Sequence, residues 1–509
     1  VAGSKVRQLK STPTKQKSIL LVKLGTLPEL APIVDELAEL VPDVRFLGIG
    51  VKEVIPSPNL EIVAHERQLV LAAYDAWWEE QLYVDPSLYV KLLSKESQMM
   101  RNIDRIVGHD VFEVDVPSFP SEVFRDTYHG RSQLLLRQIA FWDSILIKHN
   151  VAAVVAQNIP HNFWDAVLYV VAKAREIPFL FFHETPPFMS SIYVYEQLED
   201  MGNLGFSSQL IRKAEEKYGL IPDSPERLET MCDQVSIQSA RFNRELGTLQ
   251  KYSTLKRLAG LVRSPRHTPY KIFRSLNRRF VDFRSRRREH LISRTDVLPE
   301  KYFLIELHIP TNATTLVKGY MYGDQREMIA HISHSLPAGY TLLVRESSRQ
   351  KNRKQPRRNA FWQQLGGLPA VQIISDEIDS EQVLLSSTGV VELGYSSLAL
   401  EAINLDLPVI VLGLTHIPNL PNVHLVGTST SLSQVLKQVS QQPRGTSDSH
   451  ETVRLNLFRW ANLVRQSTLQ ASLSIPFKKN LARDPNFQVR TLKNVARVVA
   501  TWYQMRAEI

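Results

Sequence analysis

Four stretches of this chain carry side chains whose types and spacing suit chemistry. The first is Val390-Val-Glu-Leu-Gly394-Tyr-Ser396-Ser397-Leu-Ala-Leu-Glu401, a strand pattern that ends in glycine and opens a helix on two hydroxyl residues. Ser396 and Ser397 at a helix N-terminus can offer side-chain and backbone donors to a phosphate, and the helix dipole favours the anion. Glu401, one turn further in, can accept hydrogen bonds from ribose hydroxyls. The plainer reading makes Ser396 an N-cap and Glu401 an ordinary first-turn acid. The second stretch, Gln157-Asn-Ile-Pro160-His161-Asn-Phe-Trp-Asp165, follows a buried strand and also opens a helix. His161 and Asp165, four apart, are expected on one face of its first turn, as acid/base partners or with the carboxylate as nucleophile. On sequence alone, local capping and dipole compensation are favoured for this pair. Third, His183-Glu184 ends the next strand on the same sheet edge, as contacts to an acceptor or as plain loop residues. Fourth, Arg345 to Arg358 holds seven Lys/Arg against one Glu just after a strand, where a phosphate would dock. A solvated loop is the alternative there.

These residues need a frame. Ser18 to Gly25 and Val44 to Ile49 read as strands, with Leu30, Ile33, Val34, Leu37 and Val41 recurring at helical spacing between them. Val151 to Ala156 and Phe179 to Phe182 are two more strands, joined by a helix from about Asn162 to Ala174. Strands separated by helix-length connections pair in parallel. Residues from about 60 to 145 read as mainly helical. The rhythm stops between Gly205 and Ile292 and resumes at Tyr302. Strands are then expected at 302–307, 340–344, 371–374, 390–393 and 408–412, and helices at 325–335, 380–385 and 397–404. Two helices close the chain, near 451–469 and 489–503. The fold class is α/β, with two Rossmann-like doubly wound domains facing a cleft and a helical, basic inserted region. The expected division is 1–204 on the acceptor side, 205–300 as the insertion, 301–445 for the nucleotide and 446–509 as helices packing back on the body. In open α/β sheets ligands bind at the carboxyl ends of strands, so two opposed edges suit one substrate held by each domain. That is the logic of GT-B glycosyltransferases, shared by epimerases and two-domain binding proteins.

Of the 509 residues, 43% are hydrophobic and 22% charged, which excludes a disordered or fibrous chain. A single cysteine, Cys232, excludes an internal disulfide and a cysteine-based zinc cluster and fits a reducing compartment. No apolar run reaches the roughly 18 residues of a spanning helix, and Ile19 to Val22 is too short for a signal-peptide core. The expectation is a soluble, cytoplasmic protein. The net charge of +9 is concentrated: Lys251 to Glu289 holds 13 Lys/Arg against 2 Asp/Glu. Its cations interleave with Leu255, Leu258, Leu261, Phe273, Leu276 and Phe280, a pattern that lies on anionic membrane surfaces. Nucleic-acid binding is the weaker rival, because no motif for it accompanies the charge.

Taken in order, Leu307-His308, Ala313-Thr314-Thr315, Gly319, Tyr322-Gly-Asp324-Gln325, Leu336-Pro337-Ala-Gly339, Val344-Arg345-Glu346, Ser396-Ser397, Glu401-Ala402 and Pro408-Val409 resemble the bacterial capsule polysaccharide biosynthesis family. That family includes Kdo (3-deoxy-manno-octulosonic acid) transferases of GT-B type. Pro160-His161, Asp165 and Leu168-Tyr169 look like its N-terminal half, so the resemblance covers 151–195 and 302–413. It implies transfer of a sugar from a nucleotide sugar, CMP-Kdo for Kdo-type members, to a glycan or lipid-linked acceptor at the inner face of the plasma membrane, without metal or other cofactor. By the same resemblance Ser396, Ser397 and Glu401 hold the nucleotide, with Gly394, Arg345 and His308 in the same nucleotide-sugar site. Asp324 and Gln325 shape the cleft, and His161 and Asp165 form the catalytic or acceptor-side edge. The chain departs from the family with Ser347-Ser348 where His-Pro is usual, Thr311-Asn312 where Pro-Glu is usual, and Ala399-Leu400 in place of the helix glycine. The lost His-Pro keeps a second reading open, a catalytically degenerate scaffold of a polysaccharide assembly complex.

Overall fold

A computed structural model describes residues 16–24, 30–50, 57–65, 69, 82–105, 128–184, 191–201, 204–221, 227, 231, 294–308, 314–346, 359–375, 378–415, 417, 420–426, 431–442, 450–471, 473 and 485–508. The basic segment 251–289, Cys232 and residues 347–358 lie outside them.

The chain runs β1 (Ser18–Val22), α1 (Ala31–Leu40), β2 (Arg45–Gly50), β3 (Leu60–His65), α2 (Pro86–Leu92), α3 (Glu96–Arg105), α4 (Tyr128–Lys148), β4 (Val151–Ala156), α5 (Phe163–Ala174), β5 (Phe179–Glu184), β6 (Ser191–Tyr195) and α6 (Leu204–Tyr218). It continues with β7 (Tyr302–Leu307), α7 (Gln325–Ser335), β8 (Thr341–Glu346), α8 (Asn359–Gly366), β9 (Val371–Ile373), α9 (Ser380–Leu385), β10 (Gly389–Leu393), α10 (Ser397–Asn404), β11 (Val409–Leu412), β12 (Val423–Leu425) and α11 (Leu432–Gln441). Last come α12 (His450–Ser467), β13 (Leu469–Gln470) and α13 (Pro485–Ala507). Leu60–His65 corrects the expectation of a mainly helical stretch from 60: it is a third parallel strand, paired with β2.

The N-lobe sheet has the order β13-β6-β5-β4-β1-β2-β3, and the C-lobe sheet β12-β11-β10-β7-β8-β9. Within each lobe this is the Rossmann arrangement 3-2-1-4-5, extended by β6 and β13 in the first and by β12 in the second. All pairings among β1 to β5 and β7 to β12 are parallel; β6 alone is reversed, pairing antiparallel with β5 on one side and β13 on the other. Parallel strands are covered on both faces, which explains continuous apolar runs such as Ile19-Leu-Leu-Val22 and Val409-Ile-Val-Leu412, all buried. One face of the N-lobe sheet packs α1, α6 and α13. One face of the C-lobe sheet packs α7, α8 and α11. The remaining faces share one apolar cluster that includes Val167, Phe181 and Tyr195 of the first lobe and Tyr302, Leu398 and Trp460 of the chain beyond. The last helix returns to the start: α13 lies against α1, where Arg497 Nε donates to the buried Glu36 at 3.0 Å. Among the described residues no helix is long and apolar enough to cross a membrane.

Candidate functional site

In each sheet the connections leave in opposite directions at one point, between β1 and β4 in the N-lobe and between β7 and β10 in the C-lobe. The sequence-selected residues gather at the carboxyl ends of those strands.

In the N-lobe, Lys23 follows β1, Gln157, Asn158 and His161 follow β4, and Glu184 ends β5. With Asp165 they line a cleft of about 190 Å³. α5 begins at Phe163 behind Asn162, so His161 precedes the helix and does not share its first turn with Asp165. Both still line the cleft, and the turn folds His161 back so that its Nδ1 lies 2.8 Å from the carbonyl of Ile159. A carbonyl only accepts, so Nδ1 carries a proton and Nε2 is the ring's basic nitrogen in the neutral form. Asp165 is buried, and its Oδ2 accepts from Asn162 Nδ2 at 2.8 Å. Glu184 Oε1 accepts from the backbone N–H of Leu473 at 2.6 Å, and Gln157 Nε2 donates to the carbonyl of the same Leu473. Lys23 holds a left-handed backbone, φ 61°, and its Nζ lies 5.3 Å from the centre of the Trp164 ring.

His183 does not line this cleft. It is buried behind it, with Nδ1 3.3 Å from Asn158 Oδ1 and Nε2 3.0 Å from Lys318 Nζ. Asn158 Oδ1 also accepts from the Ile159 N–H. Nδ1 therefore donates and Nε2 accepts from Lys318. Burial, with Lys318 and His161 nearby, holds His183 well below the ordinary imidazole range. Burial pushes the Lys318 ammonium down to about 7. Lys318 ends a single π-type turn, Thr314–Lys318, that leaves the carboxyl side of β7. The contact thus joins the two carboxyl edges, which face each other. Gly413, at φ 76°, lets the chain pass Lys318: a Cβ there would stand 2.4 Å from the Lys318 carbonyl.

In the C-lobe, Gly394 takes φ 70°, which turns the chain from β10 into α10 and needs no side chain. Ser396 caps α10, accepting from the Ala399 N–H at 3.2 Å. Its own hydroxyl proton goes to Glu392 Oε2 at 2.6 Å. That corrects the expectation for Ser396, since its donor is already committed. Ser397 is the first residue of the helix and half-buried, and among the described residues its hydroxyl takes no hydrogen-bond partner. Glu392, fully buried on β10, also meets His308 Nε2 at 2.5 Å. His308 directly follows β7, and its carbonyl accepts from the buried Gln325 Nε2 at 3.0 Å. Asp324 is the N-cap of α7 and is paired with Arg326, whose hydrogen bond holds the carboxyl below its usual range. Asp324 and Gln325 are therefore local fasteners at the edge of this lobe. Glu401 is half-buried, and burial followed by the Glu306 charge pushes it up to about 7, with Arg345 opposing the shift. Arg345 stands beside Glu306 in the β7–β8 register.

Sequence reasoning passed over Glu392, Lys318, Asn158 and Lys23. A lone acid inside Val390-Val-Glu-Leu393 was a usable signal. Nothing local marks Lys318, whose character comes from burial between the lobes. No cluster of three or more His, Cys, Asp and Glu that could hold a metal occurs among the described residues.

Neither protein-family models nor curated proteins yield a match to the chain. Among solved structures, the UDP-GlcNAc 2-epimerase of Methanocaldococcus jannaschii, in complex with UDP-GlcNAc and UDP, is similar at 12% identity and a TM-score of 0.26, over 92% of this chain and 99% of that one. The spinosyn rhamnosyltransferase complexed with spinosyn aglycone is similar at 11% identity and a TM-score of 0.23, over 91% and 99%. The Anabaena protein HepE, in complex with UDP and glucose, is similar at 11% identity and a TM-score of 0.22, over 91% and 98%. At this distance no activity passes from them to this chain. The class rests on the strand orders themselves: two Rossmann-like lobes with opposed carboxyl edges.

Proposed function

We propose that this protein is a GT-B-type glycosyltransferase that moves a sugar from a nucleotide-activated donor to a hydroxyl of a surface-polysaccharide acceptor. The observation that carries the reading is the pairing of two switch points across one seam. The N-lobe one has His161 and Asp165, and the C-lobe one has the α10 N-terminus with Ser397, Glu401, Arg345 and His308. In the reaction an acceptor O–H gives its proton to a base, its oxygen bonds to the anomeric carbon, and the bond from that carbon to the nucleotide phosphate breaks with both electrons leaving on phosphate oxygen. His161 Nε2 or the Asp165 carboxylate supplies the base. The departing phosphate needs donors more than a strong acid, and the α10 N-terminus and Arg345 supply them. Glu401 accepts from ribose hydroxyls. A capsular role with CMP-Kdo as donor, and peripheral attachment to the inner membrane face through residues 251–289, are the finer form of the proposal and rest on the sequence resemblance and on charge.

The test assays the full chain for transfer from CMP-, UDP- and GDP-sugars, after thermal-shift screening for the nucleotide that binds. Asp165→Ala, Ser397→Ala and Glu401→Ala should each lose transfer, and full activity in all three refutes the assignment. Nucleotide binding without turnover would favour the degenerate-scaffold reading, for which the Ser347-Ser348 replacement speaks.

A further inference from the structure

The N-lobe cleft holds an observation that the proposed reaction does not use. Glu184 Oε1 is satisfied by the Leu473 N–H, but Oε2 of the same carboxylate is buried and has no hydrogen-bond partner among the described residues. Leaving a buried charged acceptor unmatched costs more than an ordinary lost hydrogen bond, so such an atom calls for a specific donor. Glu184 lines the cleft at the N-lobe switch point, where doubly wound sheets take their ligands. The other polar lining groups are Lys23, Gln157, Asn158, His161 and Asp165.

Size and charge narrow the ligand. About 190 Å³ is less than the roughly 300 Å³ at which drug-sized ligand pockets begin, so it admits one ring and not a nucleotide. The lining sets two carboxylates against one ammonium, and that ammonium is drawn onto the Trp164 ring. His161 commits Nδ1 to a backbone carbonyl. Carboxylates and side-chain amides facing a small ring match hydroxyl donors and repel a further carboxylate or phosphate. We propose that this cleft is a subsite for a single neutral sugar ring, with Glu184 Oε2 accepting from one of its hydroxyls and Asp165 facing another. The inference rests on the glycosyltransferase reading and names the acceptor end as a neutral sugar, where the sequence resemblance names an acidic sugar only on the donor.

The experiment titrates the full chain with methyl glucoside and N-acetylglucosamine as neutral probes and glucuronate and Kdo as acidic ones, by saturation-transfer NMR and calorimetry, with CMP, UDP and GDP in parallel. Wild type should bind a neutral probe at least about tenfold more tightly than either acidic one. Glu184→Gln, which puts an amide donor where the acceptor stood, should lose about tenfold or more for the neutral probe and leave nucleotide binding unchanged. Equal or tighter binding of the acidic probes, binding of none of the four, or neutral-sugar affinity unaltered in a folded Glu184→Gln overturns the subsite. Should that variant not fold, the selectivity of the wild type decides. Nucleotide binding without sugar binding sinks the subsite and spares the proposed function. Sugar binding without any nucleotide binding does the reverse.

Discussion

Replacing Lys318 by Met should make the protein more stable at neutral pH, and the gain should vanish in mild alkali. Lys318 is buried, with its ammonium pushed from an ordinary 10.5 down to about 7 and its Nζ 3.0 Å from Nε2 of the neutral His183 ring. Between those two values the unfolded chain holds a proton that the folded chain lacks, so the wild type gains stability as pH rises and loses it as pH falls through about 7. Each pKa unit is worth about 1.4 kcal/mol, so the full penalty near pH 7 approaches roughly 5 kcal/mol. Methionine removes that penalty but leaves His183 Nε2 without its donor, which costs about 1–3 kcal/mol. The net gain is about 3 kcal/mol near pH 7, falling by about 1.4 kcal/mol per pH unit to nothing near pH 9. The charged neighbours do not blur the sign: His183 stays neutral throughout this range, and His161 faces it from the same lobe. Urea unfolding followed by tryptophan fluorescence at pH 7, 8 and 9, wild type against Lys318→Met, reads the difference directly. Parallel stability curves across that range, or a variant less stable at pH 7, would show that the lysine is not held in its neutral form.

Glu401, pushed up to about 7 by burial and Glu306, can accept from ribose hydroxyls with both oxygens only when ionised. Affinity for whichever nucleotide sugar binds should therefore fall about tenfold from pH 8 to pH 6, and Glu401→Gln should bind more weakly but without that dependence; calorimetry at three pH values checks it. The adjacent serines should separate stability from activity. Ser396→Ala removes an N-cap and orphans one oxygen of the buried Glu392, at a cost of about 2–3 kcal/mol in thermal or urea unfolding. Ser397→Ala should stay within about 0.5 kcal/mol of wild type yet lose the greater share of transfer.

Five strands and three helices of the C-lobe were legible because their sequence rules agree with one another, while α8, β12 and α11 went unread. Helices at 325–335, 380–385 and 397–404 match the observed bounds, since Asp324, Asp379 and Ser396 are side-chain caps standing just before apolar-periodic runs. β3 was lost because Leu60-Glu-Ile-Val-Ala-His65 is short and sits at the sheet edge, where alternation is weak and a helix period fits as well. β13 was lost for another reason: a two-residue strand formed by the returning C-terminus has no local signature at all, whereas β6, Ser191-Ile-Tyr-Val-Tyr195, carried a β-type run that was passed over. At the site, residue type identified the right sheet edges but not the use of each group. Ser396 could be read as donor or cap from its sequence, and only the position of Glu392 decides between them. Lys318 reads as one lysine among many until two lobes close over it.

The seam between the lobes limits how the protein can work. Inter-domain motion is the ordinary expectation where lobes meet over a small, polar surface, and it fails where the contact is large and apolar. Here one apolar cluster runs from Val167, Phe181 and Tyr195 to Tyr302, Leu398 and Trp460, so swinging the lobes wide apart would expose side chains that are buried in both. Trp460 belongs to α12, which touches α10 on one side and α6 and β6 on the other, tying α10 to the N-lobe sheet. The Lys318–His183 contact fastens the same seam close to the cleft. A ligand entering between the carboxyl edges therefore meets two lobes that do not separate as rigid halves. Protonation of Lys318 should register in the stability of both lobes, because the group stands buried where their carboxyl edges meet.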